Sequence, residues 1–212
     1  MTAVADVVVE RSGMAPLWVV REVEVMAPKA AAAVEGHFGV PLPPVTVVVA
    51  GRPGLATARL VAAGWRRGSL RARAAYWWRT YREAAGALGL TAVTSSDRVL
   101  VGVSGPLHRE RPEDLWRTLV HELAHAMQMD RPGRRAELQA LTEHELRLRK
   151  LPAGLCWGMD AVVAVEEAEA YAVQHALDPK AEPQVFDIAV TARRLEDSMR
   201  CWTSAALSYQ SV

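Results

Sequence analysis

The sequence predicts an α+β fold: a small mixed sheet from the first half of the chain, a helix carrying His-Glu-x-x-His, and a mostly helical C-terminal half. Three observations carry this expectation. The runs Val45-Thr46-Val47-Val48-Val49-Ala50 and Arg98-Val99-Leu100-Val101-Gly102-Val103 are rich in β-branched residues and fenced by Pro44, Gly51 and Ser104-Gly105-Pro106, the pattern of strands, the first of them buried on both faces. Beyond Pro112 apolar residues recur at three- and four-residue steps, the period of helices that bury one stripe. A chain of 212 residues, 50 % hydrophobic and 23 % charged, has enough apolar side chains for the core of one domain, with the sheet in about 1–110 and the helices in about 111–212.

Composition also narrows the partners. A net charge of +1 creates no global field toward nucleic acid or an anionic membrane. Residues 1–10 carry no basic segment, and Asp6 and Glu10 interrupt their apolar run, so no secretory leader is expected. No stretch approaches the length of a membrane span, and a membrane is not an expected partner. Cys156 and Cys201 are too few for a disulfide framework and read as buried apolar side chains, which makes the cytoplasm the expected location.

Taken in order, residues 3–10 and 17–25 are rich in Val, and Val23-Glu24-Val25 alternates, so one or both are expected as strands near a sheet edge. Pro28 fits the first turn of a helix through Phe38 that stops at Gly39, and Pro41, Pro43 and Pro44 prevent its continuation. Residues 45–50 are expected as a central strand. Gly51-Arg52-Pro53-Gly54 reads as a turn, and lacks the glycine spacing and lysine of a phosphate loop; residues 55–63 read as a short helix. A longer helix is expected from Leu70 to Leu88 with Ala74, Trp78, Tyr81, Ala85 and Leu88 on its buried face. Arginines 66, 67, 71, 73, 79 and 82 interleave there with Trp65, Tyr76, Trp77, Trp78 and Tyr81, a mixture able to hold phosphates and stack on bases. An amphipathic helix with solvated arginines accounts for the same residues, and nucleic acid is not the expected partner.

Residues 91–96 read as a loop or short strand, and 98–103 as the second firm strand. The helix opened by Pro112, with Glu113 and Asp114 at the positive end of its dipole, ends before Asp130-Arg131-Pro132-Gly133. A charged helix follows over 134–150, then a buried one over 160–177 that Asp178-Pro179 stops. The last helix, about 184–207, carries Val185, Ile188, Ala192, Leu195, Met199, Trp202 and Ala206 as a stripe that packs on its own domain or forms a dimer seam.

The chemistry concentrates in His121-Glu122-Leu123-Ala124-His125. Residues four apart lie one turn apart on the same helix face, so His121 and His125 can share one ion. Glu122 is rotated by about a hundred degrees from His121, beside such an ion, where a general base for an activated water belongs. Leu115, Leu119, Leu123 and Ala126 mark the same helix as buried, and two imidazoles on a buried helix need a partner.

On this motif the chain resembles the zincin metallopeptidases. A catalytic zinc takes three protein ligands and keeps one position open. The metzincin pattern needs Gly and His where this chain has Gln128 and Arg131, so the resemblance is to small single-domain gluzincins, covering mainly 98–175. There the third ligand is a glutamate on a later helix, often in an E-x-x-A context, which Glu167-Ala168-Glu169-Ala170 matches. Three glutamates in an Ala/Val-rich helix are costly to bury unless one is paired or metal-bound, which agrees. Glu167 is the chosen ligand, Glu166 its rival, and Glu169 a candidate outer acid accepting from a ligand histidine.

The resemblance implies a cytoplasmic Zn2+ metallopeptidase acting on a protein or peptide, with Glu122 as general base and the strand before the motif helix at the cleft edge. Tyr171, His175 and His144 are candidate oxyanion donors. The alternative is a non-catalytic zincin-like module that contacts protein or nucleic acid through the Arg/Trp helix 66–82.

Overall fold

The chain forms a sheet because its valine-rich runs, once extended, have two apolar faces to bury and neighbours to pair with. The computed structural model describes residues 6–64, 68–94 and 96–178, apart from the side chains of Trp157 and Asp160. Trp65, Arg66, Arg67, Cys201 and the expected helix over 184–207, with its dimer seam, lie outside those residues. Strands β1 (Val7–Arg11), β2 (Val45–Ala50), β3 (Gly89–Val93) and β4 (Val99–Ser104) lie in the order β1-β2-β4-β3. β1, β2 and β4 are parallel, and β3 is antiparallel to β4, with Thr91 opposite Val101. β2 is thus internal, as its unbroken apolar run predicts, and β3 and β1 are the two edges.

Alternate residues face opposite layers. Val45, Val47, Val49, Val99, Val101 and Val103 join one core with helix α1 (Leu17–Phe38), helix α5 (Leu115–Met129) and the end of α7 (Ala153–Leu177). Val48, Ala50 and Leu100 face the other way, onto Leu55 and Ala62 of helix α2 (Arg52–Ala62), over which α3 (Leu70–Glu83) packs. Gly102 makes the second contact close: a Cβ there would stand 2.8 Å from Leu55 Cδ2. The short α4 (Gly105–Glu110) and a 3₁₀ turn at Pro112–Asp114 lead into α5, and α6 (Arg134–Glu145) separates it from α7. Among the described residues no helix is long and apolar enough to cross a membrane.

Several expectations change. Residues 17–25 are the start of α1, not a strand, because Val19, Val20, Val23, Ala27, Ala30, Ala31 and Val34 are all buried at helical spacing, and the local alternation at 23–25 is incidental. Pro28 consequently sits inside that helix on its exposed side, where it has no N–H to give the Glu24 carbonyl. Gly39, at φ 70°, closes the helix as expected. The turn at 51–54 is already the first turn of α2, with Gly51 at its N-cap and Pro53 in its first turn. α3 ends at Glu83, and its buried residues are Ala72, Tyr76 and Thr80, whereas Trp78 is 56 % exposed. Arg79 and Arg59 flank the Tyr76 ring and pair with Glu83, and Arg79 also pairs with Glu145, so Arg79 of the basic cluster is engaged within the fold. The strand before the motif helix, β4, is internal; the edge on that side is β3, which takes in only the first part of the segment 91–96 read as a loop or short strand.

Candidate metal centre and active site

Helix α5 packs against the sheet through Leu115, Leu119, Leu123, Ala124 and Ala126, which turns His121 and His125 toward α7 at the rim of the core. Each imidazole is 12 % exposed. α7 lies alongside, drawn in by the buried Ala170 and Val173, and it delivers Glu167 to the same point. His121 Nε2 and His125 Nε2 are 3.1 Å apart, and the Glu167 carboxylate reaches them at 3.4 and 3.3 Å. A cation held tetrahedrally by such atoms at about 2.0–2.2 Å keeps its ligands about 3.3–3.6 Å apart, comparable with these separations, in which Glu167 offers Oε2 to His121 and Oε1 to His125. His121, His125 and Glu167 form the candidate metal-binding group among the described residues.

The electrostatics agree with that geometry. Burial alone would raise the Glu167 carboxyl, but hydrogen bonds and charge from His121 and His125 outweigh it and hold the group far below the usual carboxylate range. Burial alone would lower His125, yet the Glu167 hydrogen bond and the charges of Glu122 and Glu167 outweigh it and raise the imidazole. The cluster favours positive charge at its centre.

The neighbouring glutamates do other work. Glu166 is 8 % exposed and accepts two hydrogen bonds from the buried Arg134, at 2.7 and 2.6 Å. Its carboxylate therefore belongs to an ion pair with α6. Glu169 accepts from Arg131 at 2.6 and 2.7 Å and from Gln128 Nε2 at 3.0 Å. It does not touch a histidine directly, as had been expected of it, because Gln128 stands between. Gln128 Nε2 also donates to the Glu166 carbonyl at 2.8 Å, so its Oε1 is the atom left for His125 Nδ1, 2.6 Å away. His125 Nδ1 must then carry a proton, and in the neutral ring Nε2 is left with its lone pair toward Glu167 and His121. His121 has no such support among the described residues: its Nδ1 is buried without a hydrogen-bond partner there, and its ring lies against Tyr171 at 4.6 Å between centroids.

Glu122 is 7 % exposed, and its Oε2 accepts a 2.5 Å hydrogen bond from Thr91 on β3. Burial raises its pKa, against the opposing effects of His121, Thr91 and His125. A carboxylate that holds a proton more readily than usual, next to a cation seat, suits a general base. His121, Glu122 and Glu167 open into a cleft of about 490 Å³ lined also by Gly86–Gly89, Arg111, Asp114, Arg117, Thr118, Tyr171 and Gln174, with His125 behind that lining. Of the three oxyanion candidates, Tyr171 lines this cleft. His144 accepts from the Leu151 N–H at 3.1 Å and staples the α6–α7 connection, and His175 is exposed and outside the cleft lining.

Comparison of the chain with family models, curated proteins and solved structures finds no match. The geometry therefore stands on this chain's own residues. Sequence reasoning missed Gln128, Thr91 and Gly89. Gln128 had a signal, since it follows His125 by three residues on the same helix face. Thr91 and Gly89 had none, because their approach to Glu122 depends on how β3 lies across α5.

Proposed function

We propose that this chain is a zinc-dependent peptidase in which His121, His125 and Glu167 hold the ion and Glu122 is the general base. The observation that carries the reading is the convergence of two imidazole nitrogens and one carboxylate within 3.1–3.4 Å of one another, with a second, buried carboxylate beside them. Bound there, Zn2+ supplies Lewis acidity, polarising a carbonyl and acidifying water. Glu122 takes a proton from the attacking water and returns it to the leaving amine, a role for which its raised affinity for protons fits it. Tyr171, in the cleft with its ring on His121, is the donor placed to meet the developing oxyanion. Gln128, held from two sides, keeps His125 in the tautomer a cation needs. The donor set of two imidazoles and one carboxylate suits zinc and also other first-row metals, among which availability decides.

The purified protein should bind one zinc per chain, and His125→Ala should abolish binding at micromolar metal, since two ligands leave an inadequate shell. Incubated with a library of peptides from a proteome digest, the zinc-loaded protein should create new amino termini. Glu122→Gln should bind zinc normally and cleave about 10²–10⁴-fold more slowly. A zinc-loaded wild type that cleaves nothing in such a library overturns the peptidase reading, and wild-type turnover by Glu122→Gln places the base elsewhere.

A further inference from the structure

Two residues of the edge strand β3 meet the Glu122 side chain, and the scheme above uses neither. Gly89 and Thr91 are two apart, so they present the same face of the strand, and that face lies on α5. The Thr91 hydroxyl stands 2.5 Å from Glu122 Oε2 and 3.1 Å from the Glu122 carbonyl oxygen. Having one hydrogen, it can donate to only one of them at a time, and the shorter contact is with the carboxylate. Gly89 supplies the space: a Cβ there would stand 2.6 Å from Oε1, 2.7 Å from Cγ and 2.9 Å from Cδ of Glu122. Gly89 does not have a positive φ, so backbone conformation does not call for glycine at this position; the closeness of the carboxylate does.

We infer that Gly89 and Thr91 form a seat on β3 that positions the Glu122 carboxylate for proton transfer, Gly89 by leaving room and Thr91 by fixing its rotation with a hydrogen bond. This rests on the reading of Glu122 as general base. Both are positioning residues: neither need touch substrate. A buried carboxylate left without this seat still lies beside the ion but can turn among several rotamers, and a base that is displaced by about an ångström loses rate without losing the substrate. The atoms nearest a Cβ on Gly89 all belong to the Glu122 side chain, from Cγ outward. Gly89→Ala therefore displaces the side chain that carries the carboxylate.

The alternative is that Thr91 is only a staple between β3 and α5 through the Glu122 carbonyl. The experiment compares wild type with Thr91→Val, which keeps the shape and loses the hydroxyl, Thr91→Ser, which restores it, and Gly89→Ala, all loaded with zinc. Thr91→Val and Gly89→Ala should lower kcat by about 10- to 100-fold with zinc stoichiometry unchanged, Thr91→Val with KM unchanged as well, and Thr91→Ser should recover most of the rate. In crystals of zinc-loaded Thr91→Val the Glu122 carboxylate should leave its wild-type position. Wild-type kcat in Thr91→Val, or a loss that Thr91→Ser fails to recover, overturns the seat. Should the wild type cleave nothing, the peptidase reading falls while the crystallographic comparison still decides this one: an unmoved carboxylate in both Thr91→Val and Gly89→Ala overturns it.

Discussion

At the scale of single residues, three glutamates on one helix show how neighbours of identical chemistry acquire different roles. Successive positions on α7 are rotated by about a hundred degrees, so Glu166, Glu167 and Glu169 meet different surroundings: a buried arginine, two imidazoles, and an arginine with a glutamine. Each pairing predicts a distinct failure. Glu167→Gln should weaken zinc binding by orders of magnitude and leave folding largely intact, because its carboxylate is 44 % exposed and holds the protein together only through the site. Glu166→Gln should do the reverse. Its partner Arg134 is 5 % exposed at the side chain and would keep Glu137, 3.1 Å away, so loss of the charged hydrogen bonds to Glu166 should cost about 1.5–3 kcal/mol. Urea unfolding of the metal-free variants, beside competition titrations for zinc, separates the two. A Glu166→Gln variant as stable as wild type that has lost zinc would exchange the assignments.

At the scale of elements, α1 is the instructive case. Its first turns read locally as a strand, since Val has high β propensity and Val23-Glu24-Val25 alternates. The helix forms because a stripe of seven small and β-branched residues fits against the sheet and α5, and burial of that stripe outweighs intrinsic preference. The same packing carries Pro28 through the helix interior despite the hydrogen bond it forfeits. Because Pro28 is exposed and fills no core space, Pro28→Ala should stabilise the protein by about 1–3 kcal/mol, read from the urea midpoint at unchanged slope. A neutral or destabilising result would mean that the kink or the rigidity of the proline contributes to how α1 meets its neighbours.

At the scale of the whole molecule, the candidate centre joins parts of the chain that are far apart in sequence. α5 supplies His121, His125 and Glu122, α7 supplies Glu167 and Tyr171, and β3 supplies Gly89 and Thr91. An ion held by the first and second of these clamps α5 to α7 in the folded state and has no equivalent seat in the unfolded chain. Zinc at about a hundred times its dissociation constant should therefore add about 2.7 kcal/mol, a rise in Tm of about 5–10 °C for a chain of this size. A chelator should reverse the rise, and His125→Ala should show none. Calorimetry that finds the same Tm with zinc and with chelator in the wild type would separate this constellation from metal binding.

What the sequence by itself determined is what adjacent residues impose on one another. The strands at 45–50 and 98–103 follow from unbroken β-branched runs, the helix stop at Gly39 from a glycine before three prolines, and the shared face of His121 and His125 from a spacing of four. The choice of Glu167 over Glu166 came from a motif and from the cost of burying three acids, and neither consideration contains the position of Arg134. Tertiary structure decided everything that depends on which surfaces meet: that residues 17–25 coil, that β3 takes the edge beside the site, that Gln128 stands between His125 and Glu169, and that Gly89 and Thr91 close on Glu122. The physical reason is the same throughout. Propensity and spacing are set by covalent neighbours at a few tenths of a kcal/mol per residue, whereas partners brought together from distant positions are chosen by burial of whole faces, which is larger and leaves no local mark.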